Sequence, residues 1–266
     1  MLPAGAAGML NAIGLANPGL DVFLRDTATR ARLLPCRVFV SVAGFSIDDY
    51  VQCAANVDAF IGDSGGPNPS NLHAIELNVS CPNVKTGTEF GHTSTLLIEL
   101  LNAVRRHVKH AKLFVKLSPA TPDLTSVVRA ACEWGADAVT LGNTYPGMAI
   151  DVETRRPSLA NVTGGLSGPA LHPITLKHVH ESHRRVMLPR AESKQPMVPI
   201  VAAGGVASWQ QAAAYILAGA TAVQIGTALF ADPRVPNQVA RGLEKWVTRQ
   251  GAGAIGDLIG AVRLVG

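Results

Sequence analysis

Three polar side chains lie within six positions of one another at the end of an apolar run. The segment ELNVSCPN carries Asn78, Cys81 and Asn83. An asparagine amide both donates and accepts hydrogen bonds, so two of them suit a planar ring with carbonyl and N–H groups. An isolated cysteine is ordinarily an inert buried thiol. Here the flanking amides and Pro82 favour a thiol beside a polar ligand, because amides are costly to bury without one.

Two glycine-containing turns follow neighbouring apolar runs later in the chain. They read AAGG (202–205) and IGTA (225–228). Small residues let backbone N–H groups approach a phosphate closely. Each turn alone is equally well explained as a tight turn, but the two together favour a phosphate-bearing cofactor. The nucleotide-binding pattern GxxxxGK[ST] does not occur in the sequence, which argues against a nucleotide-hydrolysing loop.

A lysine ends the apolar run FVKLSP, where an inward-pointing ammonium needs an anionic partner. Lys116 could pair with Glu76, one run earlier, or neutralise an electron-rich cofactor, and the sequence leaves both readings open. Asn143 and Thr144 follow the next run in the same relative position and add hydrogen-bonding groups. These residues predict an amide-rich pocket with one cation.

Alternating strands and helices must position these groups. Six short apolar, β-branched runs predict buried parallel strands: 38–42, 74–79, 113–117, 138–141, 198–202 and 222–225. Helical patterns separate or follow them: 47–60, 95–108, 123–133, 169–180 and 209–217. The polar, proline-containing stretch 184–196 predicts a surface insertion.

This order predicts an α/β fold with a parallel sheet, and we favour a TIM (β/α)8 barrel. In that fold the loops after every strand converge on one face, where active sites lie. A closed barrel needs eight strands, whereas nothing before residue 38 looks like one, so we expect the first two strand units to be lacking. We expect residues 1–266 to form a single domain.

Composition excludes several classes of protein. The net charge is +4, but charged residues make up only 16% of the 266 positions, too sparse for a nucleic-acid binder. The uncharged opening 20 residues lack a basic start and are broken by glycines, so we expect neither a signal peptide nor a membrane span. The four cysteines show no zinc-binding spacing, so we expect no metal and reduced thiols in the cytoplasm.

Motifs along the chain resemble those of the dihydroorotate dehydrogenase family. They are NAIGLANPG (11–19), ELNVSCPNVKTG (76–87), FVKLSP (114–119), NVTGGLSGPAL (161–171), AAGGV (202–206) and QIGTALFADP (224–233). The resemblance implies an FMN-binding barrel that oxidises dihydroorotate to orotate in pyrimidine biosynthesis. It makes Cys81 the general base. A cysteine there points to the soluble branch, and the chain looks most like the NAD-linked form.

The resemblance also assigns site residues. Substrate contacts would come from Asn11, Gly14, Leu15, Asn78, Asn83, Asn143 and Thr144. FMN contacts would come from Ser41, Asn78, Lys116, Gly142, Gly168, Gly204, Gly205, Gly226 and Thr227. Ser41 departs from the family pattern, which has asparagine there, and a shorter hydroxyl reaches less far. The family's first two strand units carry a further serine and lysine of the site, which we expect to be absent.

The NAD-linked form implies an iron-sulfur flavoprotein subunit as electron-transfer partner, in a homodimer or a heterotetramer. Two alternatives remain at this stage. One is a related flavin barrel that acts on another pyrimidine, either free uracil or a uridine in tRNA. The other is an inactive, truncated remnant that neither closes its barrel nor holds flavin.

Overall fold

The computed structural model describes residues 2–3, 8–63, 71–79 and 89–264 of the chain. The strands in chain order are β1 (Leu2–Pro3), β2 (Met9–Asn11), β3 (Val38–Val42), β4 (Leu72–Asn78), β5 (Lys112–Leu117), β6 (Ala138–Leu141), β7 (Tyr145–Met148), β8 (Ile150–Asp151), β9 (Arg156–Pro157), β10 (Thr163–Ser167), β11 (Ile200–Ala203) and β12 (Ala222–Gln224). The helices are α1 (Leu20–Val22), α2 (Thr29–Ala31), α3 (Ile47–Gly62), α4 (Ser94–Arg105), α5 (Leu124–Glu133), α6 (His172–Ser182), α7 (Leu188–Glu192), α8 (Trp209–Ala218), α9 (Ala228–Ala231) and α10 (Val235–Arg249).

Six strands form one parallel sheet in the order β3-β4-β5-β6-β11-β12. Each strand pairs with its predecessor among the parallel strands, as in a TIM barrel. This confirms the predicted barrel-type order and its six strands. Within the described ranges β3 and β12 do not pair with each other, so they form the two edges of the sheet.

The sheet is curled towards a barrel, as side-chain contacts across it show. In a flat sheet, β4 and β12 would lie roughly 19 Å apart, because neighbouring strands are about 4.8 Å apart. Yet the amide of Gln224 on β12 donates to the carboxylate of Glu76 on β4 at 2.7 Å. The inner face of the sheet is therefore concave, and its side chains meet across the interior.

Helices cover the outer, convex face and make the apolar core with it. On β5 the side chains of Leu113, Val115 and Leu117 are fully buried in this core, together with Leu100 and Leu101 of α4. The intervening residues of β5 point to the inner face, because side chains alternate along a strand. Burial against helices accounts for every second residue of a strand. On β6 all four residues are buried, so both faces of that strand are covered.

Hydrogen-bonded caps fix where the helices begin. At the start of α3, Ser46 accepts from the backbone of Asp49, whose carboxylate accepts in return from the backbone of Ser46. Ser208 and Gln211 form the same reciprocal pair at the start of α8. Such pairs satisfy backbone donors that have no partner within the helix. They hold each helix at a set distance after the preceding strand.

A second, antiparallel sheet lies at the carboxyl ends of the parallel strands. Its order is β1-β2-β10-β7. Its strand β7 starts at Tyr145, four residues after the end of β6. Its strand β2 pairs with β10 and places Asn11 beside Gly165. This sheet was not predicted. Its strands are short, and β10 reads TGGLS, so none of them shows the apolar run that marks the parallel strands.

The prediction of a surface insertion over 184–196 is wrong for its first part. A π-helical turn over His183–Met187 continues α6, and α7 follows it. Val186 and Met187 are buried in the core, and Arg129 of α5 donates to the carbonyl of Arg185 at 3.1 Å. The apolar Val-Met pair between arginines supplies this burial. In the described part of the chain, no helix is long and apolar enough to cross a membrane.

Candidate active site

A cavity of about 920 Å³ opens at the carboxyl ends of the parallel strands. Its size lies within the range of cofactor and ligand pockets. Ten of the residues singled out in the sequence line it: Asn11, Lys116, Gly142, Asn143, Thr144, Gly168, Gly204, Gly205, Gly226 and Thr227. They come from β2, from β5, from the segments after β6 and β10, and from the turns after β11 and β12. The fold thus gathers residues that are more than 200 positions apart in sequence around one space.

The glycines of this wall are required by close backbone contacts. Gly142 has a φ of +116°, and a side chain there would meet the carbonyl oxygen of Ala203 at 1.8 Å. Gly205 has a φ of +66°, and a side chain would lie 2.7 Å from the carbonyl oxygen of Gly168. These positions bring the segments after β6, β10 and β11 into contact. The glycines therefore let these segments pack against one another in the wall of the cavity, and they also leave space inside the cavity.

Gly226 shows the opposite situation. Among the described residues, no atom beyond the chain neighbours of Gly226 lies within 4 Å of the position that a Cβ there would take, although Gly226 lines the cavity with Thr227. The space next to this backbone is open to a ligand. Backbone in such a turn can approach a phosphate in a way that a larger residue would prevent. This geometry fits the phosphate-bearing cofactor expected from the two glycine turns.

An amide cluster forms another part of the site. The side chain of Asn143 donates to that of Asn78 at 2.9 Å, and its carbonyl oxygen accepts from the backbone N–H of Thr144 at 2.9 Å. The hydroxyl of Tyr50 donates to the backbone carbonyl of Asn78 at 2.7 Å. Asn11 reaches the same cavity and donates to the carbonyl of Gly165 at 3.2 Å. The cluster holds its amides in fixed orientations.

Lys116 sits in a buried polar network on the inner face of the sheet. Its ammonium lies 3.6 Å from a carboxylate oxygen of Glu76 and donates to the amide oxygen of Gln224 at 3.0 Å. The other carboxylate oxygen of Glu76 accepts from the hydroxyl of Thr140 at 2.6 Å and from the amide of Gln224 at 2.7 Å. The structure thus shows the Glu76 pairing that the sequence left open, and Lys116 also lines the cavity.

Thr140 and Gln224 were missed in the sequence. Thr140 stands inside the apolar run AVTL, and Gln224 directly precedes the turn that was singled out for its glycine. A polar residue within a run of buried strand residues is the signal that could have found both, since such a residue needs a hydrogen-bonding partner. Identifying that partner requires the curl of the sheet, which the sequence does not give.

Four of the predicted residues that the structure describes lie outside the cavity lining. Asn78 is one of them, although it accepts a hydrogen bond from the lining residue Asn143. Gly14 is exposed, with a φ of +75°, and Leu15 is half-buried. Ser41 is exposed on the edge strand β3, in register with Glu76 and on the same inner face. Cys81 and Asn83 lie outside the described residues. Their roles remain predictions.

The fold and the cavity together define an α/β-barrel protein with a glycine- and amide-rich cavity at the carboxyl ends of its strands. The chain belongs to the dihydroorotate dehydrogenase family, whose model "Dihydroorotate dehydrogenase" matches residues 2–247. Membership confirms the resemblance found in the sequence motifs.

Curated relatives and solved structures agree with this assignment. The chain is 40% identical over 259 residues to "Dihydroorotate dehydrogenase B (NAD(+)), catalytic subunit" of Bacteroides thetaiotaomicron, covering 97% of this chain and 79% of the relative. It is 39% identical over 254 residues to the protein of the same name from Alkaliphilus oremlandii, covering 95% and 77%. A solved structure of DHODH from Eimeria tenella in complex with ferulenol matches with a TM-score of 0.76 at 23% identity, over 96% of this chain and 71% of that one. The last match bears on the fold alone.

Proposed function

We propose that this chain oxidises dihydroorotate to orotate, with FMN as hydride acceptor, as the catalytic subunit of an NAD-linked dihydroorotate dehydrogenase in pyrimidine biosynthesis. Family membership supports the reaction class and the cofactor. One structural observation supports the placement of the reaction: ten of the predicted substrate and flavin residues, from distant parts of the chain, line a single cavity.

The residues present fit FMN. The open space at Gly226 and the adjoining turns at Gly204, Gly205 and Thr227 would hold its phosphate. Lys116 would lie against the flavin ring, where a cation favours the electron-rich reduced form. Bound FMN supplies the capacity to accept a hydride. The chain's own task is to orient the substrate, to exclude water and to take up a proton.

Orotate and dihydroorotate carry carbonyl, N–H and carboxylate groups that require both donors and acceptors. The fixed amides of Asn78 and Asn143, with Asn11 and the hydroxyl of Thr144, provide such groups. We propose that Gly14, Leu15 and Asn83 complete the substrate contacts and that Ser41 contributes to the flavin site from β3. Because both the nitrogen and the oxygen of the Asn143 amide already make hydrogen bonds, this side chain loses little further conformational entropy when the substrate binds.

We propose that the thiolate of Cys81 takes the proton from dihydroorotate as the hydride leaves for FMN. Cys81 comes three residues after the end of β4, close in sequence to Asn78 of the amide cluster. A free thiol has a pKa near 8.5, so the site must stabilise the thiolate or couple its formation to hydride transfer. The hydrogen bond from Tyr50 to the carbonyl of Asn78 anchors the end of β4, the described strand that precedes Cys81 in the chain.

The partners of the reaction extend the proposal. The relatives' names describe them as catalytic subunits, which favours a separate electron-transfer subunit for this chain too. We propose an iron-sulfur flavoprotein in that role, a homodimeric or heterotetrameric assembly, and a cytoplasmic location, as the sequence resemblance implies. Residues 1–266 would act as one FMN-binding domain.

The proposal is tested by the visible spectrum of the purified chain, supplied with FMN, before and after dihydroorotate is added without oxygen. We expect a bound-flavin band that bleaches, because the electrons of the substrate pass to the flavin. The variant Cys81→Ala should keep the band and bleach roughly 100- to 10,000-fold more slowly, the usual contribution of a general base.

Two outcomes would contradict the proposal. A chain that binds no FMN would exclude the cofactor assignment for this polypeptide and favour the inactive alternative. A flavin that dihydroorotate leaves oxidised would exclude the reaction. If dihydroorotate leaves the flavin oxidised, the flavin can be reduced with a limiting amount of dithionite. Its re-oxidation by uracil and not by orotate would then favour a barrel acting on another pyrimidine.

A further inference from the structure

We propose that Glu76 is a positioning residue that fixes the ammonium of Lys116 at the cavity wall and compensates its charge, and so sets how much positive charge the flavin meets. The inference rests on the proposed FMN site. It concerns residues that were not assigned to that site: Glu76 and the two groups that bind it, Thr140 and Gln224.

The first support is the burial of Glu76. Its side chain is only 7% exposed, whereas that of Lys116 is 23% exposed and reaches the cavity. A carboxylate is expensive to bury without a partner of opposite charge and further hydrogen bonds. Glu76 has both, since one oxygen faces Lys116 and the other accepts two hydrogen bonds. Its charge is therefore matched within the network.

The second support is the direction of the hydrogen bonds through Gln224. Its amide nitrogen donates to Glu76 at 2.7 Å, while its amide oxygen accepts from Lys116 at 3.0 Å. An amide can serve both neighbours at once only in this orientation, because the carboxylate accepts and the ammonium donates. Gln224 thus links anion and cation, and Thr140 holds the carboxylate from its other side at 2.6 Å.

The third support is the position of the network in the sheet. Its members come from β4, β5, β6 and β12, and they meet across the interior of the curled sheet. Lys116 is the cation of this network, and together with Gln224 it reaches the cavity lining. Lys112, on the same face of β5, is 71% exposed and pairs instead with Asp137 at 3.3 Å. Being a lysine of the same strand outside the network, it provides an internal reference.

A first experiment needs no flavin. The flavin-free protein is treated with an amine-acylating reagent, and the rate at Lys116 is followed by peptide mass spectrometry with Lys112 as reference. In Glu76→Gln, Lys116 should react roughly three- to tenfold faster than in the unchanged protein, because an ion pair that is partly screened by solvent is lost. The rate at Lys112 should stay the same. An unchanged rate at Lys116 would overturn the proposal.

A second experiment measures the flavin directly. In Glu76→Gln the charge of Lys116 is no longer compensated, so reduced FMN should gain affinity over oxidised FMN by roughly tenfold, about +30 mV for a two-electron couple. The double variant Glu76→Gln/Lys116→Met should have the same flavin reduction potential as Lys116→Met alone. Action through Lys116 would be contradicted by a negative shift or no shift in Glu76→Gln. It would also be contradicted if Glu76→Gln shifted the potential equally in the protein that carries Lys116→Met.

Folding and function are kept apart by two further variants. The double variant Glu76→Gln/Lys116→Met leaves no unpaired buried charge and so serves as the folded reference. If Glu76→Gln itself does not accumulate, Thr140→Val keeps both charges and removes only the 2.6 Å hydrogen bond to Glu76. It should raise acylation at Lys116 by roughly twofold, less than Glu76→Gln does, because the lost bond acts on Lys116 only through Glu76, and an unchanged rate would overturn the proposal. If the unchanged protein binds no FMN, the proposed function fails, while the acylation rates still decide the link between Glu76 and Lys116.

Discussion

The two ends of the parallel sheet use polar residues in opposite ways. At the amino end, carboxylates accept hydrogen bonds from the protein's own backbone. Asp58 accepts three of them, from Lys109, His110 and Ala111, at 2.7 to 2.9 Å. At the carboxyl end, amides and a lysine line a cavity. The difference indicates that the amino end stabilises the fold and that the carboxyl end binds the ligand, as in barrels generally.

Asp137 shows the amino-end pattern a second time. It directly precedes β6, and one of its oxygens accepts from the backbone of Leu113 at 2.8 Å and from Arg105 at 2.9 Å. These bonds tie the starts of β5 and β6 to α4. In contrast, the hydrogen bonds of Asn143 and Lys116 connect side chains around the cavity. A variant at either end should therefore damage one property and spare the other.

The largest effect is expected at Asp58, where Asp58→Ala removes the acceptor of three buried or half-buried backbone N–H groups. We expect the free energy of unfolding to fall by about 3 kcal/mol or more, since each orphaned donor costs about 1–3 kcal/mol. Urea unfolding measures the change. The matched control Asp48→Ala, at an exposed position on the same helix, should stay within about 0.5 kcal/mol of the unchanged protein.

The affinity of the remaining folded protein for FMN should be the same in Asp58→Ala as in the unchanged chain. If the affinity fell together with the stability, the amino end would contribute to binding, and the division between the two ends would be wrong.

The next largest effect is expected at Gly226 and should have the opposite character. Gly226→Val places a side chain in open space, so the free energy of unfolding should change by no more than about 0.5 kcal/mol. The affinity for FMN, measured by flavin fluorescence, should fall by roughly 100-fold, because the side chain fills the space given to the cofactor. Gly256 also has no atom within 4 Å of a new side chain and lies outside the cavity lining. Gly256→Val is therefore the control and should bind FMN normally.

The smallest effect concerns a thiol in the helix layer and sharpens the contrast with Cys81. Burial raises the pKa of Cys132 from 9.0 to about 11. Between these two pH values the folded state keeps the thiol proton that the unfolded chain releases. The contribution of the Cys132 thiol to the free energy of unfolding is therefore complete below pH 9 and is lost as the pH rises towards 11. Between pH 8 and pH 10 the protein should lose about 1.4 kcal/mol through this group.

The variant Cys132→Ala lacks the titrating thiol. Between pH 8 and pH 10 its free energy of unfolding, measured by urea unfolding, should therefore fall by about 1.4 kcal/mol less than that of the unchanged protein. Equal losses in both proteins would show that Cys132 is not held protonated by its burial. The prediction treats Cys132 as an inert core thiol, in contrast to the base proposed at position 81.

Much of the parallel sheet could be predicted from the sequence, because strands that are covered on both faces read as nearly continuous apolar runs. The bounds of β3 and β6 are as predicted, and the bounds of the other four parallel strands differ from the prediction by one or two residues at one end or at both. The antiparallel sheet could not be found, since glycine-rich TGGLS shows neither alternation nor an apolar run. The stretch after α6 was misread because Val186 and Met187, which bury it, stand among arginines.

The site was predictable where motifs carried it and unpredictable where contacts between strands decided it. The glycine turns and Asn143 stood out by residue type and position, and they line the cavity. The contacts of Glu76 with Thr140 and Gln224 depend on the curl of the sheet and join residues that are 64 and 148 positions apart. No local pattern encodes such a distance.

A crystal structure of the chain grown with FMN and orotate tests the central claim most directly. The account predicts the phosphate against the backbone of Gly204, Gly205 and Gly226, with Lys116 at the flavin ring and orotate against Asn143. An FMN molecule bound anywhere else on the chain, or a flavin ring out of reach of Lys116, would contradict it.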